Sequence, residues 1–490
     1  DMFGTGKTVL RAGGGIIYEI PHISAFIGQN NTNASGVALN PTGLPGAPVG
    51  PGGGTINATT LEPDEDEMSD RWKSGDPIFG NLDPTLTSCS TDTPCPVFSV
   101  AKNLKTPYVT NWNLNLQQEM WRNAALTVAY VGSKGTKLYS IFDINQNIFA
   151  NDVEGDELSG RPFFNKFPTL SNIYQLANHD NSIYHGLQVT LRQNTTKGLY
   201  FVAGYTWSHA IDMSDSNRQF NIQDSNNPAQ ERSNADFDLR HRFTVAMTYD
   251  LPGKNGFAQM LKGWSVNSIF TAQSGTPLFY YDSTNDISGT GNFNDHWNIT
   301  GDPRNLDWHG NKPVPFYGIE DFNTVPDASD PDLFHAVSGT SAASQRCYDQ
   351  AFALGGQAGA DQLIDGTDED TIFGGCFVSG NTVVTPPAPG TFGNMKRNVA
   401  YGPGFVNLDF SVIKHFKLSE RFNLELRGEV FNILNHVNFA TPDHDLTDGS
   451  TDPTENTVGV SSFTPDIFAS NPVIGSGGSR HIQVGLKILW

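Results

Sequence analysis

The last residues of the chain, Arg480 to Trp490, read RHIQVGLKILW and alternate between polar and apolar side chains without a break. Successive side chains of a β-strand point to opposite faces of the sheet. The stretch therefore predicts a strand with one apolar face, formed by Ile482, Val484, Leu486, Ile488 and Trp490. Chain ends usually fray in water, so a terminal strand this regular indicates a structural role for the tail.

Nine more segments alternate in the same way over about 9–11 residues, the length of a strand that crosses a membrane. They are residues 8–18, 108–120, 124–132, 184–193, 199–208, 240–251, 263–273, 405–417 and 422–432. No apolar run approaches the roughly 18 residues that a membrane helix needs. With the tail, these segments predict an all-β fold of about ten strands.

The connections between the predicted strands alternate between short and long. The short ones are residues 121–123, 194–198, 252–262 and 418–421, and the long ones are 19–107, 133–183, 209–239, 274–404 and 433–479. This asymmetry is typical of a transmembrane antiparallel up-and-down β-barrel with long extracellular loops. The alternative is a soluble sandwich with one wet face, which explains the alternation but not the unequal loops.

Charged residues fall on the polar faces of the last two predicted strands. Glu425, Arg427 and Glu429 alternate with apolar residues, and Lys487 lies on the polar face of the tail. Buried charges need water or one another, so we expect these side chains to line a polar lumen.

The segment DFDLRHRF, residues 236–243, places Asp238, Arg240 and Arg242 at alternate positions. One interpretation is a ladder of charges in the lumen. The other is a set of salt bridges at the rim, which would contribute little to stability. The sequence leaves both open.

The net charge of −21 argues against two classes of partner. Nucleic acid and anionic membrane surfaces both attract basic patches, so we expect neither to bind. The first residues, DMFGTGKTVLRAGGG, contain no basic segment followed by an apolar core, so we expect no signal peptide. We expect the chain to be either a mature protein or a piece of a longer one.

The four cysteines, Cys89, Cys95, Cys347 and Cys376, all lie in predicted loops. Closing the short loop CSTDTPC would join Cys89 to Cys95 and leave Cys347 for Cys376, as in an oxidising compartment. Reduced surface thiols or a zinc site are the alternatives, and the lack of a CxxC motif argues against zinc.

No motif indicates catalysis. The segment FGTGKT resembles a phosphate-binding loop, but Asp1 stands where that motif needs its first glycine, and HExxH and GxSxG do not occur. We therefore expect neither an enzyme nor a cofactor. Acidic segments at 62–67, 282–295 and 365–371 offer oxygen ligands for calcium, although solvated acidic loops are the simpler interpretation.

Several phrases resemble the β-barrel of the Oar-like TonB-dependent transporters. They are NLKTPYVTNWNLNLQQEM (103–120), VAYVGSKGTKLY (128–139), FVAGYTWSHAID (201–212), DFDLRHRFTVAMTYDLP (236–252), LELRGEVFNILNHVNF (424–439) and VGLKILW (484–490). The resemblance implies an N-terminal plug and a TonB-contacting segment ahead of a barrel of about 22 strands. Residues 1–490 would be the C-terminal part of that barrel, without the plug.

The resemblance also implies a function and partners. It implies active import, driven through TonB, of a large or scarce solute such as a sugar, a peptide or a metal chelate, across the outer membrane of a Gram-negative cell. The barrel would contact membrane lipid, and the tail would close it against an earlier strand. The barrel-assembly machinery would read the terminal aromatic, Trp490, where phenylalanine is commoner. A passive porin, a loop-displaying adhesin and a secreted soluble β-protein are the alternatives.

Overall fold

A computed structural model describes residues 7–18, 48–49, 54–55, 94–148, 159–214, 222–253, 260–291, 295–330, 333–365, 374–419, 421–465 and 477–490. Ten strands follow one another in a single sheet, each paired with the next along the chain. They are β1 (Thr8–Tyr18), β2 (Tyr108–Trp121), β3 (Ala124–Asp143), β4 (Leu170–Thr196), β5 (Leu199–Asp212), β6 (His241–Asp250), β7 (Trp264–Gln273), β8 (Phe405–Lys417), β9 (Asn423–Phe431) and β10 (His481–Leu489). Every one of these pairings is antiparallel. The ten predicted strands and the antiparallel all-β class are confirmed.

The sheet is open over the described part of the chain. There, β1 pairs with β2 alone and β10 pairs with β9 alone. Among the described residues the outer edge of β10 has no strand beside it, so closure of the barrel by the tail against an earlier strand stays a prediction.

Tight turns join several strands at the short-turn end. Lys197 and Gly198 alone connect β4 to β5, with φ angles of 50° and 83°. A two-residue turn with positive φ at both positions matches the right-handed twist of the strands that it joins. A side chain at position 198 would collide with the carbonyl oxygen of Asp250, so glycine is required there.

The two faces of the sheet differ sharply in chemistry. The register places three apolar residues of β9, Leu424, Leu426 and Val430, opposite Ile488, Leu486 and Ile482 of β10. Large apolar side chains on this face remain well exposed along the whole sheet, among them Leu114 (48%), Leu187 (39%), Phe243 (39%) and Leu426 (41%). An uncovered apolar face of this extent needs an apolar environment.

Lys414 is an exception, because it lies on the apolar face between Val412 and Phe416. Its ammonium group contacts the carbonyl oxygen of Lys262 and lies 5.2 Å and 4.8 Å from the ring centres of Trp264 and Phe416. The side chain is almost completely buried. Aromatic faces and a backbone carbonyl therefore stabilise the charge next to the short-turn end.

The predicted loop 133–183 is too long, since β3 continues to Asp143 and β4 begins at Leu170. β5 likewise runs on to Asp212, beyond the predicted strand end at 208. The pairing of β3 with β4 shifts register between Gly135 and Leu138 and again before Ser140. Such bulges interrupt the period of two, so alternation could not reveal the extensions of β3 and β4.

Shorter strands lie in the other connections. Cys95–Val100 pairs with the start of β4 in the parallel direction, Ser233–Asn234 pairs with β5, and Pro48–Val49 pairs with Gly54–Thr55. The 3₁₀-helices Pro228–Glu231 and Leu446–Asp448 lie in the connections after β5 and after β9. The parallel pair is a departure from the expected up-and-down order.

The connection 274–404, which we call the cap, is folded. It contains the strands Pro277–Leu278, Asn298–Thr300, Phe316–Tyr317, Phe322–Pro326, Phe334–Gly339, Cys376–Ser379, Thr382–Thr385 and Ala400–Tyr401, the 3₁₀-helices Pro303–Leu306 and Ile319–Asp321, and the helix α1 (Ala342–Asp361). Two buried apolar clusters stabilise it, one around Trp297 and Phe377 and one around Leu363 and Cys347. The first also includes Leu446 and Val458 from the connection between β9 and β10, so that connection packs against the cap.

Among the described residues, no helix combines the length and the apolar character needed to cross a membrane.

Candidate functional site

Buried hydrogen bonds join the cap to the connections beside it. Gln223, between β5 and β6, donates from Nε2 to the Gly393 carbonyl oxygen (3.0 Å) and accepts at Oε1 from the His296 N–H (3.2 Å). Gln146, between β3 and β4, donates to the carbonyl oxygen of Gln223 (2.8 Å). Three long connections are therefore bonded to one another at the same end of the sheet.

Arg397 of the cap is surrounded by carboxylates. Its guanidinium nitrogens lie 2.7 Å from Asp212 Oδ1, 3.4 Å from Asp236 Oδ1 and 3.8 Å from Glu231 Oε2. We call these four residues the Arg397 cluster. The side chains of Arg397 and Glu231 are 4% and 1% exposed, so water screens their attraction only weakly. The cluster ties the cap to the end of β5, where Asp212 lies.

The Arg397 cluster contains three acids and one base, and burial shifts their protonation. Burial raises the pKa of Glu231 to about 7 and that of Asp212 to about 6, although the charge of Arg397 opposes both shifts. His296 Nε2 lies 3.8 Å from Glu231 Oε2, and burial lowers the pKa of this histidine to about 4. At neutral pH the histidine is neutral, while Glu231 is close to the midpoint of its titration.

Sequence reasoning missed the Arg397 cluster. Arg397 and Glu231 are separated by 166 positions, and both lie in connections with no periodic pattern. Only the fold brings them together, so no signal in the sequence could have identified them.

Asp238 and Arg240 lie at the rim, because β6 begins at His241, one residue after Arg240. Arg240 Nε lies 2.7 Å from Asp238 Oδ2, and Arg240 also donates to the Tyr401 hydroxyl of the cap (3.1 Å). Of the three predicted residues, only Arg242 lies within β6, on its polar face. This contact corresponds to the interpretation of salt bridges at the rim, and a role of the three residues as a ladder of charges in the lumen stays a prediction. Because Arg240 bonds both to Asp238, whose side chain is fully buried, and to Tyr401 of the cap, this pair also attaches the cap.

The charged residues predicted near the end of the chain share the polar face of the sheet. Arg427 lies 2.8 Å from Glu425 and 3.4 Å from Glu429, and the register places Lys487 opposite Glu425. On the other side of Glu425, His415 of β8 lies 3.8 Å away. The structure thus brings the four predicted residues, Glu425, Arg427, Glu429 and Lys487, together in a network. Their opposite charges partly cancel one another.

The predicted row of the tail occupies the apolar face of β10. Ile482, Val484, Leu486 and Ile488 are 50–74% exposed, and Trp490, directly after the strand, is 89% exposed. These exposed side chains form an apolar surface that lipid or another apolar surface could cover. A role of these residues in assembly stays a prediction.

Cys347 and Cys376 form a disulfide inside the cap, with both residues fully buried. Cys347 lies in α1 and Cys376 begins a strand, so neither lies in an irregular loop, contrary to expectation. Cys89 and the side chain of Cys95 lie outside the described residues.

The acidic segment 62–67 and most of 365–371 also lie outside the described residues. In the segment 282–295, Asp282 accepts hydrogen bonds from Trp297 Nε1 (3.0 Å) and Asn285 Nδ2 (2.9 Å), and Asp295 accepts from the Ser288 N–H (2.7 Å). These carboxylates stabilise the local fold of the cap. In the described ranges, no three His, Cys, Asp or Glu side chains are grouped so that they could hold a metal ion.

Residues 1–464 match the family described as an outer membrane beta barrel domain. Similar solved structures include a mutant of the ferric enterobactin receptor PfeA from Pseudomonas aeruginosa in complex with enterobactin (9% identity, TM-score 0.40, covering 99% of this chain and 39% of that one). The outer membrane transporter YddB from Escherichia coli is also similar (9% identity, TM-score 0.34, 81% and 34% coverage). So is the ferric citrate transporter FecA (10% identity, TM-score 0.32, 99% and 36% coverage).

This chain spans between a third and two-fifths of the length of those structures, and similarity at these TM-scores carries no argument about function. No curated protein matches the chain.

The family match and the two-faced sheet agree on location. The apolar face suits lipid, the polar face suits water, and the long connections with the cap correspond to the extracellular side of such proteins. The protein is located in the outer membrane of Gram-negative bacteria. The chain belongs to the outer membrane β-barrel domain family.

Proposed function

We propose that this chain is the C-terminal barrel portion of an Oar-like, TonB-dependent active transporter that imports a large or scarce solute. The observation that carries the proposal is the folded cap, held at the extracellular end of the sheet by the Arg397 cluster. A pore for passive diffusion needs no preformed outer surface, whereas a receptor gains affinity from one because less entropy is lost on binding.

In this proposal the solute binds first to the cap and then passes along the polar face of the sheet. The network of Glu425, Arg427, Glu429 and Lys487 would line that path, together with Arg242. A plug and a TonB-contacting segment would precede the chain, and TonB would act on that plug. The solute would be a sugar, a peptide or a metal chelate, and no catalytic step or cofactor is proposed.

A surface adhesin or a passive porin is the second candidate. An adhesin is favoured by the same folded cap, since a rigid extracellular unit can bind a partner without any transport. The two candidates differ in whether upstream segments and contact with TonB exist.

The proposal is tested first by the intact mass of the native protein in purified outer membranes. We expect a mass well above the 53.3 kDa of this chain, which accounts for a plug and further strands. We also expect the native protein to bind the purified periplasmic domain of TonB from the same organism. A mass near 53.3 kDa and no binding to TonB would favour the porin or adhesin instead.

A further inference from the structure

A cleft of about 160 Å³ opens on the cap, outside the Arg397 cluster. Most of its wall is apolar, and the apolar lining includes Leu278, Leu306, Pro313, Val314, Pro315 and Pro442. Pro442 belongs to the connection between β9 and β10, so two extracellular connections build the cleft together.

Two hydroxyl groups in the wall are already engaged. The Tyr280 hydroxyl donates to the carbonyl oxygen of Leu306 (3.0 Å), and the Ser379 hydroxyl donates to the carbonyl oxygen of Asn305 (2.7 Å). Both hydrogens are therefore directed into the protein. The cleft offers an entering group mainly carbon surface and the half-buried ring of Trp308.

The volume of the cleft limits what can enter it. An apolar cavity of about 150 Å³ accommodates benzene, whereas sites for whole drug-sized ligands have volumes of about 300 Å³ or more. The cleft therefore matches a single six-membered ring, which could be one part of a larger solute.

The mouth of the cleft favours a negative substituent. Lys312 and His309 line it and are exposed, and within the described ranges no carboxylate forms an ion pair with Lys312. Asp307 also lines the cleft, but its Oδ1 accepts a hydrogen bond from the Tyr401 N–H (2.9 Å), and burial raises the pKa of this carboxyl. Lys312 is thus the cation that an entering acid would meet, while the Asp307 carboxylate is engaged by the Tyr401 N–H.

We propose that this cleft is a subsite for one ring of a ring-containing acid, of which an aromatic carboxylate is the simplest example. Assigning the ring to the imported solute rests on the proposed function, but the binding itself does not. The ring would occupy the apolar wall beside Val314, and the acid would lie next to Lys312 at the mouth.

Benzoate is the probe, and its binding to the purified full chain in detergent is measured by calorimetry, with acetate and benzylamine as comparison ligands. We expect benzoate to bind about tenfold or more tightly than acetate, because the ring leaves water. It should also bind more tightly than benzylamine, which has the same ring and the opposite charge.

Two variants locate the binding. Val314→Trp fills the cleft and should abolish benzoate binding, whereas Val337→Trp, on an exposed strand of the cap, should not. Lys312→Glu should weaken benzoate binding by about threefold or more, since it reverses one charge at an exposed site. Lys396→Glu, exposed on the cap outside the cleft, should leave it unchanged.

Three results would overturn the proposal: no saturable benzoate binding up to about 10 mM, tighter binding of benzylamine, or binding that Lys312→Glu does not alter. Since Lys312 is exposed, its variant should fold even if Val314→Trp does not. The assay needs no TonB, so its failure would leave the transport proposal standing, and the mass and TonB experiments would decide that separately.

Discussion

A single buried guanidinium, that of Arg397, faces three carboxylates, and its removal tests how the cap is attached. Removing one partner of a buried ion pair costs about 3–5 kcal/mol, because the remaining charges are left without compensation. We expect Arg397→Met to detach the cap from β5. Limited proteolysis should then cut the cap much faster, while the sheet keeps its circular dichroism signal.

The matched control is Arg304→Met. Arg304 lies in the same cap and pairs with Asp302 at 2.6 Å, but its side chain is 81% exposed. We expect no measurable change in proteolysis for this variant. Equal sensitivity of the two variants would mean that the Arg397 cluster does not attach the cap.

Trp490 is the residue at which the tail can be tested. If the assembly machinery reads the terminal aromatic, deleting Trp490 should reduce the amount of folded protein in the outer membrane, whereas Trp490→Phe should retain it. Heat-modifiable migration on gels of outer-membrane fractions measures both. Normal surface levels after the deletion would show that the tail carries no assembly signal.

At the scale of elements, the disulfide joins α1 to the strand Cys376–Ser379 across 29 positions. Closing a loop of that length stabilises the folded state by about 3–4 kcal/mol in the chain-entropy description. We expect Cys347→Ala combined with Cys376→Ala to increase hydrogen exchange in α1 and the strands beside it.

Hydrogen exchange in β9 and β10 serves as the internal reference for the disulfide variant. Those strands are paired with each other over nine positions and do not depend on the disulfide, so their protection should not change. Loss of protection throughout the sheet would mean that the cap and the sheet unfold as one unit.

At the scale of the whole molecule, the stability of the folded cap should depend on pH. The pKa of Glu231 is raised from 4.5 to about 7, so this residue stabilises the folded state below pH 4.5 and loses that effect as the pH rises through 7. The raised pKa values of Asp212, about 6, and Asp295, about 7, act in the same direction. Burial is the main cause of all three shifts.

His296 acts in the opposite direction. Its pKa is lowered from 6.5 to about 4, so its contribution is present above pH 6.5 and is lost as the pH falls through 4. Three acids outweigh one histidine, so we expect the folded cap to be more stable against unfolding at pH 5.5 than at pH 8, although protonation weakens the individual ion pairs with Arg397. Protease cleavage of the cap at the two pH values measures this.

Glu231→Gln should reduce the difference between the two pH values, since it removes the buried acid with a pKa near 7. Glu320→Gln, at an exposed position in the cap, is the control and should leave the difference unchanged. Slower protease cleavage of the cap at pH 8 than at pH 5.5 in the unmodified protein would contradict the direction expected here.

The sequence by itself determined the strands and their faces, because alternation is a local property that each segment carries within about ten residues. The tail shows this most clearly, since Ile482 and Ile488 could be assigned to one face without any knowledge of their neighbours. The same reasoning placed Glu425 and Arg427 together on the polar face, because residues two positions apart on a strand lie side by side.

Only the tertiary structure decided how the connections fold. The bulges beyond Gly135 hide the true length of β3, and the contact of Arg397 with Asp212 joins positions 185 residues apart. Neither has a local pattern, because the cap is stabilised by apolar clusters and buried ion pairs whose members come from distant segments. The membrane-spanning strands can therefore be predicted from local sequence, whereas the fold of the extracellular connections depends on long-range packing.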